Sequence, residues 1–224
     1  MIPLKDNIQG RTFPFVNIFF ILINLWVFYL EIHQPSPRAL ESFISTWALI
    51  PSELFLNPLL RWKNVFTAMF LHGGWMHLIG NMLYLWIFGD NVEDRMGHRR
   101  YFIFYLLVGL VASATQIFLN PTSKIPLIGA SGAIAGVLGA YFVLYPKAKI
   151  MAVVPIWIFL RFIEVPAVLF LGFWFILQAF QSWGSLLQAA QGTKDIGGVA
   201  WMAHAGGFLS GLIFVFLFRK SAKR

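Results

Sequence analysis

Six stretches of this sequence run for 19 residues or more without an Asp, Glu, Lys or Arg: 12–30, 64–89, 101–123, 125–146, 165–193 and 196–218. A helix needs about 20 apolar residues to cross about 30 Å of hydrocarbon. Each stretch is therefore long enough to span a bilayer. The chain is predicted to be an all-α, polytopic membrane protein, one domain over 1–224 with six spans near 12–30, 72–89, 101–119, 131–146, 165–183 and 200–218. Two other apolar stretches, 42–52 and 150–160, have 11 residues each. Both are too short to cross and are expected to be interfacial or loop helices. Composition agrees: 12% of residues are charged, against about 25% in soluble proteins. No small-residue cleavage site follows the first apolar run, so it reads as a retained span rather than a signal peptide.

An even number of spans puts both termini on one side, and basic residues choose that side. With the termini inside, the inner segments hold Lys5, Arg11, Arg95, Arg99, Arg100, Lys147, Lys149, Arg161, Arg219, Lys220, Lys223 and Arg224. The outer segments hold only Arg38, Arg61, Lys63, Lys124 and Lys194. The termini are therefore expected in the cytoplasm. On this reading the net charge of +8 reflects topology, and no basic patch interleaved with aromatics suggests nucleic acid as a partner. The chain has no cysteine, which removes disulfides and thiolate metal sites. The longest outer connection, Glu31 to about Asn64, carries Trp47, Leu49, Ile50, Leu54, Phe55 and Trp62. It is too apolar for a solvated loop and is expected to lie partly in the membrane interface.

Polar side chains at membrane depth are costly and mark function. Four attract attention: His77 and Asn81 in the second span, Ser131 at the start of the fourth and His204 in the sixth. Ser131, in Gly129-Ala130-Ser131-Gly132, could simply cap a helix. It could equally be a nucleophile, since the glycines let another chain come close and a helix N-terminus offers free N–H groups to an oxyanion. His204 could be a structural histidine bonded to a carbonyl, or a general base. Gly132 and Gly136 form one Gly-x-x-x-Gly pair, Gly207 and Gly211 another. Such faces pack helices closely. If they meet, through Gly136 and Gly207 in particular, they bring Ser131 to His204. His77 and Asn81 share a helix face and carry N–H groups suited to an oxyanion. A metal would need three or four ligands, and no carboxylate lies in a span interior to join these histidines.

Together, His77-x-x-x-Asn81, Gly129-Ala130-Ser131-Gly132 and Ala203-His204-x-x-Gly207-x-x-x-Gly211, on the second, fourth and sixth spans, resemble the signature of the rhomboid proteases. Glu93-x-Arg95-x-Gly97 is similar to the family's turn after the second span, and His72 to a further family histidine. The likeness covers the chain from Ile2-Pro3-Leu4 to the last span. It implies an intramembrane serine protease in which Ser131 is the nucleophile and His204 its base, without a third member. His77, Asn81 and the Ser131 backbone N–H would form the oxyanion hole. It also implies transmembrane proteins as substrates, cut near the outer face, and neither cofactor nor metal. The minimal six-span form resembles bacterial members, which implies the cell (inner) membrane, with the active site opening outward. The fifth span and the 184–200 connection, with Gly184, Gly192, Gly197 and Gly198, would be the moving element. Two positions depart from the family pattern. Some members carry Tyr four residues after the nucleophile, where this chain has Ala135. The family's Trp-Arg pair is replaced by Arg61-Trp62-Lys63, out of register by one. The rival readings are an inactive rhomboid-like protein that binds client spans, which would typically lack the serine or the histidine, and a transporter, which would line its path with charge.

Overall fold

The structure, a computed structural model, describes residues 1–157, 159–190 and 200–220. Each of the six uncharged runs holds one long helix: α1 (Phe15–Ile32), α6 (Trp75–Met96), α7 (His98–Leu119), α8 (Ser131–Leu144), α9 (Ala167–Ala190) and α10 (Trp201–Phe218). Three of these, α1, α7 and α10, are long and apolar enough to cross a membrane; Ser131–Leu144 and Ala167–Gln181 are shorter apolar helices. Phe15, Leu22, Trp26, Phe173, Ile176 and Phe216 stand exposed on the outer faces of α1, α9 and α10. Such surfaces suit lipid rather than water. Gly192, Gly197 and Gly198, expected to permit hinge motion, lie outside the described residues.

Helix α8 is the axis of the bundle. It packs against α6, α7, α9 and α10, and Ala133 to Tyr141 are all buried. Its inner surface is small because Gly132, Ala133, Ala135, Gly136, Gly139 and Ala140 leave room for neighbouring backbones. Its largest contact is with α10. The register differs from the expected one. A Cβ on Gly207 would collide with the Gly132 carbonyl oxygen, and one on Gly211 with that of Gly136. The expected Gly136–Gly207 pair is thus replaced by Gly132–Gly207 and Gly136–Gly211, one turn over. The other side of Gly136 faces Val108 of α7, so α8 is gripped from two directions.

At the Leu144 end of α8 the structure is not helical. Strands β1 (Ile2–Asp6), β2 (Lys149–Ile156) and β3 (Phe159–Pro166) form an antiparallel sheet in the order β1-β2-β3. The all-α expectation is corrected here: the 150–160 stretch is a hairpin, not an interfacial helix. Its β-branched Ile150, Val153 and Val154 suit a pleated surface, and β1 supplies a partner from the far end of the chain. Asp6 ties this sheet to the bundle. Its carboxylate accepts from Tyr141 Oη at 2.5 Å and from Asn91 Nδ2 at 2.9 Å, and burial raises its pKa above the usual value. Nearby, buried Glu93 accepts the N–H groups of Val16 (3.0 Å) and Asn17 (2.7 Å) at the open start of α1, where a carboxylate is favoured. Gly97, at φ +83°, turns the chain from α6 into α7.

At the opposite end lies the outer connection, built from four short helices: α2 (Pro37–Trp47), α3 (Pro51–Leu56), α4 (Pro58–Arg61) and α5 (Asn64–Thr67). The 42–52 stretch is therefore helical only to Trp47 and again from Pro51. Arg61 donates to the Ser45 carbonyl at 3.0 Å and pairs with Glu53, and Asn64 donates to the carbonyls of Thr46 (3.0 Å) and Ala48 (2.6 Å).

The glycine register makes a test. Gly211→Ala is expected to lower stability by about 1–3 kcal/mol, the usual cost of overpacking, seen as a lower thermal midpoint in detergent. At Gly80 a Cβ would meet nothing within 4 Å, so Gly80→Ala should hold or slightly raise the midpoint. Equal losses in the two variants would remove the specific contact between α8 and α10.

Candidate active site

The segment before α8 is set by the outer connection. Leu49 and Leu127 exchange two backbone hydrogen bonds, at 3.2 and 2.8 Å, and Gly129 N–H donates to the Ala68 carbonyl at 2.9 Å. Gly129 has φ +117°, which only glycine adopts easily. That turn lets α8 begin at Ser131. The first backbone bond of α8 runs from Ile134 N to Ala130 O, so the N–H groups of Ser131, Gly132 and Ala133 belong to the open end of the helix. Ser131 is half-buried.

His204 lies in the first turn of α10 and is 8% exposed. Its Nε2 is 2.8 Å from Ser131 Oγ. The Gly132–Gly207 contact sits one residue along α8 and three along α10 from this pair, and so fixes its spacing. On the other side of the ring, Nδ1 is 2.7 Å from Gln178 Oε1 on α9. The ring is flanked by Trp174 of α9, centroids 6.0 Å apart, and by the edge of Trp201 at 6.1 Å. Aromatic contact with the His204 ring thus comes from these two indoles. Ala135, four residues after the serine, instead packs close to Gly207.

His77 and Asn81, both on α6, converge beside Gly129. A Cβ built there would lie 2.7 Å from His77 Nε2 and 3.6 Å from Asn81 Nδ2. Gly73 N–H donates to His77 Nδ1 at 3.3 Å, which leaves Nε2 as the protonated nitrogen. Asn81 is held from behind: His72 Nε2 accepts from Asn81 Nδ2 at 2.9 Å, and His72 Nδ1 donates to the Phe70 carbonyl at 3.2 Å. The His72 backbone N–H donates in turn to the Glu31 carboxylate of α1, at 3.0 and 3.3 Å. His72 lies in the outer connection, ahead of α6. With its Nδ1 proton given to the Phe70 carbonyl, the ring presents Nε2 as an acceptor. The His72 and His77 rings are 5.0 Å apart. Among the described residues no group of three or more His, Asp or Glu side chains gathers to hold a metal.

A cavity with about 40 Å³ of room reaches Ser131, Gly129 and Gly132 and is also lined by Ser113 of α7. One water needs about 10–15 Å³ by such a measure. The arrangement can therefore offer a serine hydroxyl, an acceptor nitrogen, convergent N–H donors and water. Sequence reasoning named Ser131, His204, His77 and Asn81. It missed Gln178, Trp174 and Glu31. The signal for Gln178 was present, an amide within an otherwise apolar helical run; nothing local tied it to His204, 26 residues away.

Gly129→Ala should abolish labelling of Ser131 by a fluorophosphonate, because the new methyl group demands a disfavoured φ and lies against His77. Labelling at an undiminished rate would mean that the donors do not face the serine as described.

Residues 60–221 match the family model described as "Rhomboid domain". The chain is 30% identical over 96% of its length to "Rhomboid-like protein 11, chloroplastic" of Arabidopsis thaliana, covering 70% of that protein. It is 28% identical over 72% of its length to "Rhomboid protein 1, mitochondrial" of Saccharomyces cerevisiae and 34% identical over 59% to "Rhomboid protease GluP" of Bacillus subtilis. It spans only 43% and 25% of those two proteins.

Proposed function

Because the chain belongs to the rhomboid family, we propose that it is an intramembrane serine endopeptidase that cuts transmembrane segments of other proteins. The observation that carries the reading is the 2.8 Å approach of His204 Nε2 to Ser131 Oγ among apolar helices. In the proposed reaction Ser131 Oγ attacks the scissile carbonyl carbon as His204 Nε2 takes its proton. The oxygen that becomes negative is held by His77 Nε2–H, Asn81 Nδ2–H and the Ser131 backbone N–H. The C–N bond then breaks, and His204 returns the proton to the leaving amine. Water, activated by His204, hydrolyses the acyl-enzyme and restores the serine. The cavity beside Ser131 suits that water. An inactive client-binding protein would have no use for a serine and histidine at hydrogen-bond distance.

All six long helices are read as spans, including α6, α8 and α9. Sidedness rests on charge: Arg95, Arg99, Arg100, Arg219 and Lys220 gather at one end of the bundle, where Lys220 N–H donates to the Arg95 carbonyl at 2.9 Å. Ser131 opens at the other end. With basic residues inside, both termini are cytoplasmic and the site faces outward, in the cell (inner) membrane. The substrates proposed are transmembrane proteins cut near the outer face.

Purified protein in detergent should cleave a labelled transmembrane substrate, and Ser131→Ala and His204→Ala should each abolish cleavage while keeping the thermal midpoint. His77→Ala and Asn81→Ala should each lower turnover about 100- to 1000-fold, the usual size for one oxyanion donor. Full activity in Ser131→Ala would end this reading.

A further inference from the structure

We propose that Gln178 is a positioning residue for His204: its side-chain carbonyl holds Nδ1 protonated and so leaves Nε2 free to accept the Ser131 proton. The proposal rests on the protease reading and adds a positioning residue behind the Ser131–His204 dyad. Three observations carry it. The first is the geometry, with Gln178 Oε1 2.7 Å from Nδ1 and Ser131 Oγ 2.8 Å from Nε2, one on each side of the ring. The second is burial. Gln178 is 7% exposed and His204 8%, so water competes poorly for the contact between Nδ1 and Gln178. A neutral imidazole has one N–H and one acceptor nitrogen, and the partner of one nitrogen decides the role of the other. A carbonyl oxygen cannot donate, so Nδ1 must. The third is that Gln178 and Trp174 lie four residues apart and share one face of α9. Trp174 sits beside the same ring, so one helix face both orients the imidazole and confines it. The chain lacks the aromatic residue expected at Ala135, and α9 supplies the support from elsewhere.

An amide suits this place better than a carboxylate would. α8, α9 and α10 contain no Asp, Glu, Lys or Arg, so an ionised partner would have no counter-charge in those helices. A neutral acceptor selects the tautomer without placing a charge in apolar surroundings.

The test uses the full-length protein in detergent and compares wild type with Gln178→Leu and Gln178→Glu. Leu is apolar and of similar bulk but cannot accept a hydrogen bond. Gln178→Leu should lower kcat on a transmembrane substrate, and the rate of fluorophosphonate labelling, by the same factor of at least about tenfold. KM should stay within about twofold, because Gln178 acts through His204 and not on the substrate. Gln178→Glu keeps an acceptor oxygen and should be faster than Gln178→Leu in both readouts yet slower than wild type, because its charge has no counter-charge in these helices. Wild-type rates in Gln178→Leu, a change in KM alone, or a Glu variant as slow as the Leu variant would each overturn the assignment. A second readout needs no turnover. In Ser131→Ala protein with 15N-labelled histidine, His204 should carry its proton on Nδ1, and Gln178→Leu should shift it toward Nε2. An unshifted tautomer overturns the proposal even where the Leu variant is slow. Absence of labelling and cleavage in the wild type, with the tautomer shift intact, would instead overturn the protease reading and leave the role of Gln178 toward His204 standing.

Discussion

Two helix backbones can touch only where neither carries a side chain between them. In lipid, no hydrophobic force between helices will make them do so otherwise, and close van der Waals contact has to supply the attraction. The seam between α8 and α10 meets both conditions. Gly207 lies over the Gly132 carbonyl and Gly211 over that of Gly136. Ser131 precedes the first of these contacts by one residue and His204 by three, so their distance is inherited from the seam rather than chosen by the side chains. The back of the seam is equally tight, for Gly136 has no room for a Cβ beside Val108 of α7. A displacement of α10 cannot be absorbed by α8 sliding away.

Around that seam the polar groups are arranged in two separate networks, one at each end of α8. At the sheet end, Asp6 joins β1 to α6 and α8, while Glu93 joins α6 to the start of α1. At the Ser131 end, Glu31, His72 and Asn81 form a chain from α1 to α6, and the outer connection clamps Leu127 and Gly129 by backbone bonds. Both networks use backbone N–H groups as the donors that buried carboxylates need. A carboxylate with such partners tolerates burial that an isolated one would not. The middle of the bundle has little of this and relies on packing of small residues.

Much of this was legible in the sequence. The six uncharged runs located all six long helices, because charge exclusion over 19 residues or more is a length argument and does not depend on neighbours. Ser131, His204, His77 and Asn81 stood out for the same reason, polar side chains in apolar runs; the structure brings Ser131 to His204 and sets His77 and Asn81 beside Gly129. The sheet was not legible. An 11-residue apolar run at 150–160 fits a strand or a short helix equally well, and its partner Ile2–Asp6 lies far away along the chain. The glycine register was also out of reach. Sequence shows that two small faces exist, whereas their relative shift by one turn depends on how α10 packs against α7, α8 and α9 together. Gln178 escaped because an amide in an apolar helix is ordinary until its partner is known.

The three buried or half-buried imidazoles then follow one rule. Each has one ring nitrogen committed to a fixed partner, and that partner decides what the other nitrogen can do. The Phe70 carbonyl takes the Nδ1 proton of His72, which turns Nε2 into an acceptor that holds the Asn81 amide. The Gly73 N–H occupies Nδ1 of His77, which turns Nε2 into a donor directed at the space beside Gly129. The Gln178 carbonyl takes the Nδ1 proton of His204, which turns Nε2 into the acceptor facing Ser131. A donor partner on Nδ1 thus yields a donor at the site, and an acceptor partner yields an acceptor. The same side chain serves opposite purposes within one site because backbone and amide groups on different elements assign its proton.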